Sequence, residues 1–308
     1  MMVRSPFLVD GIMIVHKPVN MTSFEVVRRV KQWLKPKKIG HGGTLDPFAE
    51  GLLVLLINSG TKIADQFLDD DKVYEFTLLF GHETDTLDRT GKTVYFYDGP
   101  PVDQQKLEEA LQKFKGTFLQ KIPAYAAARV KGERLYKLAR KGITVEAPLK
   151  EVTVYELELL QHEWPRAKLR ARCSKGTYVR QLGADIARTL GCYGTLEHLV
   201  RTQSGRFSLK DAWTLEEIKE NIEAGNIHRL IINLADALDH LPALSIEDED
   251  IERLKHGQIR KNLEIKAEGL ANPDNIPVRI LNTSGDTLLA LWWPRQTNNQ
   301  RRQLKVLV

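Results

Sequence analysis

Alternating apolar residues in "VYEFTLLF" constrain the fold more than any other feature of this chain. Tyr74, Phe76, Leu78 and Phe80 recur at every second position, so they share one face of a strand. "GIMIV" is a short apolar run suited to a buried strand, and "GLLVLLI" fits a buried strand or a short helix. Helical segments separate these runs without a regular β–α–β succession. The pattern therefore predicts an α+β fold rather than a doubly wound sheet.

Capping signals predict where the helices begin and end. Thr22 or Ser23 can cap an amphipathic helix that carries Glu25 in its first turn. "DQQKLEEALQKF" predicts a second helix, stopped by Gly116. "KLRARCSKGTYVRQLGADIARTLG" predicts a strand, a tight turn and then a helix capped by Thr177. These segments supply the helical part of the fold.

The last third of the sequence has a different character. Ser245 and Asp248 have the spacing of a capping box and predict a helix start. "PVRIL", "TLLALWW" and "LKVLV" are typical of strands, and they are separated by turn residues. We therefore predict a small β domain that begins after about Leu241.

The charge distribution points to a polyanionic partner. The chain has 308 residues, 42% of them hydrophobic, and a formal net charge of only +5, as expected for a globular protein with a sizeable core. Its basic residues concentrate in three stretches poor in acids: 28–45 (Arg28, Arg29, Lys31, Lys35, Lys37, Lys38), 129–150 (seven basic residues against Glu133 and Glu146) and 165–184 (Arg166, Lys168, Arg170, Arg172, Lys175, Arg180). One such stretch is usually a solvated helix face, whereas three favour binding to a polyanion.

Several common classes of site find no support in the sequence. The "TGKT" beginning at Thr90 lacks the earlier glycine of a P-loop, and "GHGG" is not a dinucleotide-binding motif. Cys173 and Cys192 have no C-x-x-C spacing and no H-E-x-x-H occurs, so we expect no metal and no cofactor. The longest apolar run, "LLVLLI", is too short to span a bilayer, and no secretory hydrophobic region is evident. We therefore expect a cytoplasmic protein with free thiols.

Three residues are candidates for chemistry, and each also has an ordinary structural explanation. Asp46 follows the glycines of "GHGGTLDP", where a loop can present a carboxylate or merely cap a turn. Tyr74 can stack on a flat substrate or belong to the core. Arg180 falls in the first turn of a predicted helix, where the helix dipole disfavours a cation unless an anion offsets it. It can equally be an ordinary surface arginine.

Five motifs together resemble a known family. They are "GIMIVHKPVNMTS", "GHGGTLDPFAEGLLVL", "DKVYEFTLLFGHETDTLD", "IPAYAAARVKGERLYKLARKG" and "CSKGTYVRQLGADI". In this order they resemble the TruB family of bacterial tRNA pseudouridine-55 synthases, from about Gly11 to Asp211. The C-terminal part is similar to a PUA domain. The resemblance implies a pseudouridine-synthase fold with a mixed, largely antiparallel sheet in residues 1–241, an RNA-clamping insert at about 124–150, and a PUA-like domain in residues 242–308.

The same resemblance implies roles for individual residues. Asp46 would be the catalytic aspartate and Arg180 its partner. Tyr74 would stack against the target uracil and assist proton removal, and Leu199 would line the base pocket. His41 would enter the tRNA loop where a base has been flipped out. The remaining positions implied to bind substrate are Lys17, Gly42, Gly43, Arg129, Lys131, Lys175 and Tyr178.

One departure from the family pattern affects the insert. It begins "AAAR" where the family usually has Ser-Ala-Leu-Lys, so Arg129 keeps the charge of a lysine but has a different geometry. We expect a phosphate contact at Arg129 to survive with altered placement.

The function implied by the resemblance is isomerisation of uridine to pseudouridine at position 55 in the T loop of tRNA, without cofactor, by a monomer. Two alternatives remain open from the residues. A tRNA chaperone without catalysis would use the same basic stretches. A glycosidase or nuclease would need a carboxylate pair such as Asp85 and Asp88, which more simply make local hydrogen bonds in a turn.

Overall fold

The computed structural model describes residues 9–126, 128–130, 132–143, 145–270, 276–293 and 303–308. The strands in these ranges are β1 (Gly11–Lys17), β2 (Ile39–His41), β3 (Glu50–Ile57), β4 (Lys72–Phe80), β5 (His82–Thr84), β6 (Thr93–Phe96), β7 (Gly116–Lys121), β8 (Arg129–Val130), β9 (Glu133–Arg134), β10 (Leu149–Glu163), β11 (Arg166–Cys173), β12 (Gly194–Ser204), β13 (Phe207–Ser208), β14 (Ala243–Ser245), β15 (Val278–Leu281), β16 (Leu288–Trp293) and β17 (Gln303–Val306). The helices are α1 (Ser23–Leu34), α2 (Asp65–Leu68), α3 (Gln104–Gln112), α4 (Leu135–Arg140), α5 (Val179–Thr189), α6 (Leu215–Glu223), α7 (Leu234–Ala237), α8 (Asp248–Lys255) and α9 (Lys261–Leu270).

The main sheet runs in the order β1-β3-β12-β4-β11-β10-β7, with β2 added to β3 and β13 to β12. Its neighbouring strands are antiparallel except for β3 and β12, which are parallel. The predicted α+β fold with a mixed, largely antiparallel central sheet is therefore confirmed. A second sheet has the order β14-β15-β16-β17, and the pairs β5–β6 and β8–β9 form small hairpins.

Strand β4 has the two faces that its alternation predicts. Phe76, Leu78 and Phe80 are buried, and Tyr74 packs partly buried against the same cluster. Helix α5 covers this face through buried residues such as Leu182. Burying side chains of this size contributes about 1.5–3 kcal/mol each. This layer of sheet and helix forms the floor beneath the candidate site.

Helix α1 begins where its capping signal predicts. Thr22 and Glu25 form a reciprocal capping box, in which the Glu25 amide donates to Thr22 Oγ1 at 3.1 Å and the Thr22 amide donates to Glu25 Oε2 at 2.8 Å. Val26, Val30 and Leu34 are buried against β1, β3 and α6. The opposite face of the helix, which carries the cations, is solvated.

Three predicted helix boundaries differ in the structure. Helix α3 ends at Gln112, and Gly116 has a φ of +95° at the start of β7. Tyr178, not Thr177, is the N-cap of α5, because Thr177 Oγ1 instead donates to a carbonyl in the preceding turn. Ser245 lies in β14, so the predicted capping box is wrong and Glu247 precedes α8 without a side-chain cap. In each case the residue predicted at the helix boundary belongs to a strand or to a local turn instead.

The C-terminal strands have one core of their own and share another with the rest of the chain. Ile280, Leu289 and Trp292 pack among themselves and against α8 and α9. Leu291 belongs instead to a cluster that contains Ile12 and other side chains of β1 and β3. The division at Leu241 stays a prediction. No helix within the described ranges is both long and apolar enough to cross a membrane.

Candidate active site

A cleft of about 290 Å³ opens beside β12 and β4, two central strands of the main sheet. Six of the sequence candidates line it: Gly43, Asp46, Tyr74, Tyr178, Arg180 and Leu199. Asp46, Tyr74, Arg180 and Leu199 all line this cleft, although they come from widely separated parts of the chain. The other lining residues are Gly43, Thr44, Leu45, Leu68, Lys72, Ala126, Ser174, Gly176, Thr177, Tyr178, Val179 and Arg201. The arrangement joins an acid, an aromatic ring, an aliphatic side chain and three cations around one cavity.

The turn that carries Asp46 is held from both sides. Ser23, at the start of α1, accepts from the Leu45 amide at 2.9 Å and donates to the Leu45 carbonyl at 3.2 Å. On the other side, Lys17 Nζ donates to the Pro47 carbonyl at 3.4 Å. These contacts fix the backbone on each side of Asp46. The carboxylate therefore has a defined position although its side chain is 35% exposed.

Lys17 is not in the cleft. Its side chain is fully buried, and its Nζ also donates to the carbonyls of Pro18 at 2.9 Å and Met21 at 2.6 Å. Burial lowers the pKa of Lys17 to about 8, so the amine still carries its proton at neutral pH. The expectation that Lys17 contacts substrate is wrong for this geometry, because all three donors are used inside the protein. It supports the Asp46 turn instead.

Arg180 connects Asp46 to two other segments. Its Nε donates to Asp46 Oδ2 at 2.8 Å, its Nη1 to the Thr86 carbonyl at 2.6 Å and its Nη2 to the Tyr125 carbonyl at 3.3 Å. The side chain is only 4% exposed, and Asp88 lies 3.7 Å from Nη1. A buried arginine so placed gives the neighbouring carboxylate a cationic hydrogen-bond partner. The cation at the helix start therefore has the anionic partner that the dipole argument requires.

Asp85 and Asp88 make the local hydrogen bonds predicted for them. Asp88 Oδ1 accepts from the Thr90 amide at 2.9 Å and from Thr86 Oγ1 at 2.9 Å. Asp85 accepts from the Lys92 amide at 2.8 Å. These carboxylates organise the turn that offers the Thr86 carbonyl to Arg180. They do not form a carboxylate pair open to a substrate.

Tyr74 and Leu199 lie side by side on neighbouring strands. In the β4–β12 register, Leu199 pairs with Phe76 and Arg201 pairs with Tyr74. Burial raises the pKa of the Tyr74 hydroxyl above its ordinary value, and the positive charge of the Arg201 guanidinium opposes that rise. An aromatic wall and an aliphatic wall therefore flank the cleft opposite Asp46.

The cations that line the cleft direct their hydrogen bonds at protein groups. Lys72 donates to the carbonyls of Phe67, Leu68 and Asp70 at 3.2, 2.8 and 2.6 Å. Arg201 is buried and donates to carbonyls of β3 and of the glycine loop. Asp46 Oδ1, by contrast, has no hydrogen-bond partner among the described residues. The cleft therefore suits an uncharged planar group better than a phosphate.

Comparison with known proteins decides the family. Residues 31–179 match the TruB family pseudouridylate synthase N-terminal domain, and residues 180–239 match the tRNA pseudouridylate synthase B C-terminal domain. A tRNA pseudouridine synthase B from Syntrophobacter fumaroxidans is 44% identical over 298 residues, which cover 96% of this chain and 97% of that protein. One from Bacillus subtilis is 36% identical over 93% of this chain and 94% of its own length. The chain belongs to the TruB family. It is therefore a pseudouridylate synthase, an isomerase.

Two solved structures share the fold of this TruB-family chain. One is from a structure of an H/ACA RNP bound to a substrate RNA containing 2'-deoxyuridine, with a TM-score of 0.69, 23% identity, and coverage of 97% of this chain and 83% of that one. The other is from the archaeal box H/ACA sRNP Nop10-Cbf5 complex, with a TM-score of 0.68, 22% identity, and coverage of 97% and 86%. At such identities the likeness supports the fold alone.

The glycine loop that precedes Asp46 is partly a strand. Ile39–His41 forms β2 against β3, and among the loop glycines it is Gly43 that has a positive φ, of +127°. Gly42 is buried, and a Cβ there would lie 3.0 Å from Phe67 Cβ. The loop glycines at 42 and 43 thus serve close packing and backbone turning within the protein.

His41 lies beside the cleft and not among its lining residues. It is half-buried, and burial lowers its pKa, so the imidazole is neutral at pH 7. Its Nδ1 is buried with no partner in the part of the chain that the structure describes.

The other predicted binding residues lie in the cleft, on the exposed surface, or outside the described residues. Tyr178 lines the cleft as the N-cap of α5. Lys175 is exposed next to it and pairs with Asp69 at 2.8 Å. Arg129 is exposed on β8 of the insert. Lys131 lies outside the described residues.

Sequence reasoning missed three residues of this site. Gln120 on β7 anchors the start of α5, because its side-chain amide accepts from the Tyr178 amide at 2.8 Å and donates to the Tyr178 carbonyl at 3.2 Å. Lys72 and Arg201 line the cleft as buried cations. Arg201 follows Leu199 by two positions, so strand alternation placed it on the same face. No comparable signal marked Gln120, whose role depends on a strand distant in sequence.

The first and third basic stretches have different surroundings. On α1 and the turn after it, the six cations from Arg28 to Lys38 are all exposed, and none forms an ion pair with a described residue. On β11, by contrast, alternate side chains are paired across the outer face of the sheet: Arg166–Glu197, Lys168–Glu75, Arg170–Glu156 and Arg172–Asp71. The β11 cations of the third stretch are thus already paired with acids, and their contact with a polyanion stays a prediction. The α1 surface remains available to a polyanion.

Proposed function

We propose that this protein isomerises uridine to pseudouridine at position 55 in the T loop of tRNA. The observation that carries the proposal is the convergence of Asp46, Tyr74 and Leu199 in one cleft, with Arg180 bound to the acid. Relatives named tRNA pseudouridine synthase B support tRNA as the substrate. We further propose that the protein acts as a monomer on the T arm, in the cytoplasm.

The cleft suits the requirements of this reaction. The C1′–N1 bond of uridine breaks, the uracil turns, and a C1′–C5 bond forms, so the product is an isomer of the substrate. Nothing is oxidised or reduced, and a cofactor is not needed. The detached uracil has to be retained while it turns, and the walls formed by Tyr74 and Leu199 can hold it. Because the cleft cations are bonded to protein groups, they leave room for a neutral base.

Asp46 acts through its carboxylate group. Arg180 aligns that group through a 2.8 Å hydrogen bond from Nε to Oδ2. The unpartnered Oδ1 is then the atom available to the nucleotide. Since the contacts of Leu45 and Pro47 hold the turn, little reorganisation is needed when the substrate arrives.

Tyr74 completes the reaction by removing a proton. Once C1′ is bonded to C5, that carbon carries a hydrogen that the product lacks. In its phenolate form, the Tyr74 oxygen accepts this proton, and the electron pair of the C–H bond restores the C5–C6 double bond. The electrons of the C6–N1 double bond then return to N1, which takes up a proton, so that the product remains an isomer of uridine. The ring of Tyr74 also stacks on the uracil.

The target uridine has to leave the RNA stack before it can enter the cleft. Extrusion of a base costs a few kcal/mol. We propose that phosphate contacts to the exposed cations of α1 and to Arg129 offset this cost. His41, at the mouth of the cleft, occupies the space that the flipped base leaves.

The decisive experiment compares the wild type with Asp46→Asn on unmodified tRNA transcript. We expect the wild type to form pseudouridine at position 55, and Asp46→Asn to lose turnover by at least roughly 10⁴-fold while tRNA binding stays within a few-fold. Asp98→Asn, at an exposed position, is the matched control and should keep full activity. Normal turnover by Asp46→Asn would refute the assignment, and release of free uracil or cleaved RNA would indicate a hydrolase instead.

A second experiment tests the surface that binds RNA. The dissociation constant for tRNA should rise steeply with salt, and Lys31→Glu with Lys35→Glu should weaken binding and flatten the salt dependence. Lys168→Glu, which changes a β11 cation already paired with Glu75, should have a smaller effect. A salt-independent dissociation constant for the wild type would remove the case for phosphate contacts.

A further inference from the structure

Arg201 is the most deeply buried cation of the cleft, and it reaches three different segments. Its side chain is 2% exposed. The Nε donates to the Leu52 carbonyl of β3 at 2.7 Å, and Nη2 donates to the Gly43 carbonyl of the glycine loop at 3.2 Å. The guanidinium also lies close enough to the hydroxyl of Tyr74 to act on it electrostatically. The fork geometry of an arginine allows these contacts to be made at once.

The strand register makes the contact with Tyr74 a consequence of the fold. Arg201 and Tyr74 are directly opposite each other on the antiparallel strands β12 and β4. Cβ atoms of such a pair lie about 4.5–5.5 Å apart and on the same face. The carbonyl of Gly43, three residues before Asp46, lies on the same guanidinium. Arg201 therefore links the aromatic side of the cleft to the loop that carries the acid.

We propose that Arg201 is a positioning residue for Tyr74, one that holds a positive charge beside its hydroxyl in the cleft. The inference rests on the proposed function, in which the Tyr74 oxygen takes the proton from C5. Arg201 acts through Tyr74, because its Nε and Nη2 donate to backbone carbonyls inside the protein. Its effect should therefore appear in the rate of the chemical step and not in RNA binding.

The charges around Tyr74 support this assignment. Arg201 faces the ring from β12, Cys173 from β11 and Asp46 from across the cleft, while Lys72 and Arg180 line the cavity beyond. Burial raises the pKa of Tyr74, and Asp46 raises it further; Arg201 lowers it. Burial also raises the pKa of the Cys173 thiol to about 12, so this group is neutral. Arg201 is thus the cation that directly offsets the effect of burial on the phenol.

The test measures kcat and KM against pH for the wild type, Arg201→Lys and Arg201→Gln. Loss of the guanidinium leaves the Tyr74 pKa higher, so the rising limb of the kcat profile should move to higher pH in Arg201→Gln. At pH 7 we expect kcat to fall at least about tenfold. A positioned general base contributes roughly 10²–10⁴-fold to the rate, and loss of Arg201 should remove part of that contribution. KM should change less than about twofold. Arg201→Lys should recover part of the rate.

Two further variants separate this role from a merely structural one. In a Tyr74→Phe background, Arg201→Gln should cause no additional loss of single-turnover rate. In Arg201→Gln, replacing Tyr74 with the more acidic 3-fluorotyrosine should move the limb back to lower pH. Arg279→Gln is the matched control, because Arg279 also donates to backbone carbonyls, those of Ala235, Asp239 and Leu241, but outside the cleft.

The outcomes distinguish the inference from the proposed function. The role of Arg201 would be overturned if the rising limb of the kcat profile stayed at the same pH in Arg201→Gln. It would also be overturned if the rate losses of Arg201→Gln and Tyr74→Phe were additive. Either result would leave the synthase activity itself intact. If Arg201→Gln does not fold, 3-fluorotyrosine in Arg201→Lys supplies the same measurement. A wild-type protein that forms no pseudouridine in tRNA would instead refute the proposed function.

Discussion

At the scale of single residues, Arg180 shows how one side chain couples the acid to its surroundings. It binds Asp46, the turn at Thr86 and the insert at Tyr125. A lysine at this position has a single nitrogen and cannot reach all three in the same directions. Buried ion pairs of this kind are costly to break, because the remaining charge stays uncompensated. Chemistry and local order therefore depend on the same guanidinium.

We predict that Arg180→Lys lowers kcat by about 10²-fold or more, since Asp46 loses both its alignment and part of its charge stabilisation. Rapid-quench kinetics with saturating tRNA would measure this directly. Arg188→Lys is a suitable control, because Arg188 lies on the same helix and binds Glu83 through two hydrogen bonds away from the cleft. Equal activity of Arg180→Lys and the wild type would mean that the pair with Asp46 has no catalytic role.

At the scale of secondary-structure elements, the parallel contact between β3 and β12 is the least usual feature of the sheet. Val200 pairs with Glu50 and Arg201 with Gly51. Gly51 has a φ of +109°, and a Cβ there would lie 2.4 Å from the Arg201 carbonyl oxygen. Glycine is therefore required for the two strands to approach each other. This junction sets the backbone position of Arg201 beside the cleft.

Gly51→Ala is predicted to destabilise the protein and to reduce its activity. Backbone strain at this φ costs about 1–3 kcal/mol, and the clash with the β12 backbone adds to it. Gly81→Ala separates the two effects, since Gly81 has a φ of +102° but nothing within 4 Å of an added Cβ. Urea denaturation should show the larger loss for Gly51→Ala. Equal losses for the two variants would exclude the close approach as a cause.

At the scale of the whole molecule, the C-terminal sheet shares a core with the catalytic part. Leu291 packs in the same cluster as Ile12, whereas Leu289 on the same strand packs within the C-terminal part. Polar contacts accompany this packing, for Ser59 Oγ donates to the Leu307 carbonyl at 3.0 Å and Lys62 Nζ donates to it at 3.2 Å. The two parts therefore stabilise each other.

We predict a single cooperative unfolding transition for the full chain. Leu291→Ala and Leu289→Ala should each lower the free energy of unfolding by about 2–5 kcal/mol and shift that one transition. Ile265→Ala, at an exposed position on α9, should change it by less than about 0.5 kcal/mol. Calorimetry that resolves two transitions, with Leu289→Ala affecting only one, would contradict this coupling and favour independent domains.

Short-range sequence patterns were enough to predict the main strands and helices and to select candidate residues for the site. The alternation of Tyr74, Phe76 and Leu78 and the capping box at Thr22 depend on residues close together in the chain, and the structure has both. The motifs around Asp46 and Arg180 likewise pointed to residues that meet in the cleft. Periodicity and capping are short-range interactions, so a single sequence carries most of their signal, although the caps predicted at Thr177 and Ser245 were wrong.

The partners of each side chain depend on long-range contacts, which appear only in the folded chain. Whether Lys17 points to solvent or to buried carbonyls depends on where the Asp46 turn folds, and whether Arg172 is free depends on the acid that lies opposite it. Gln120 and Arg201 acquire their partners across strands that are far apart in sequence. Such pairings are long-range, and burial sets their strength. A pattern of neighbours along the chain therefore does not contain them.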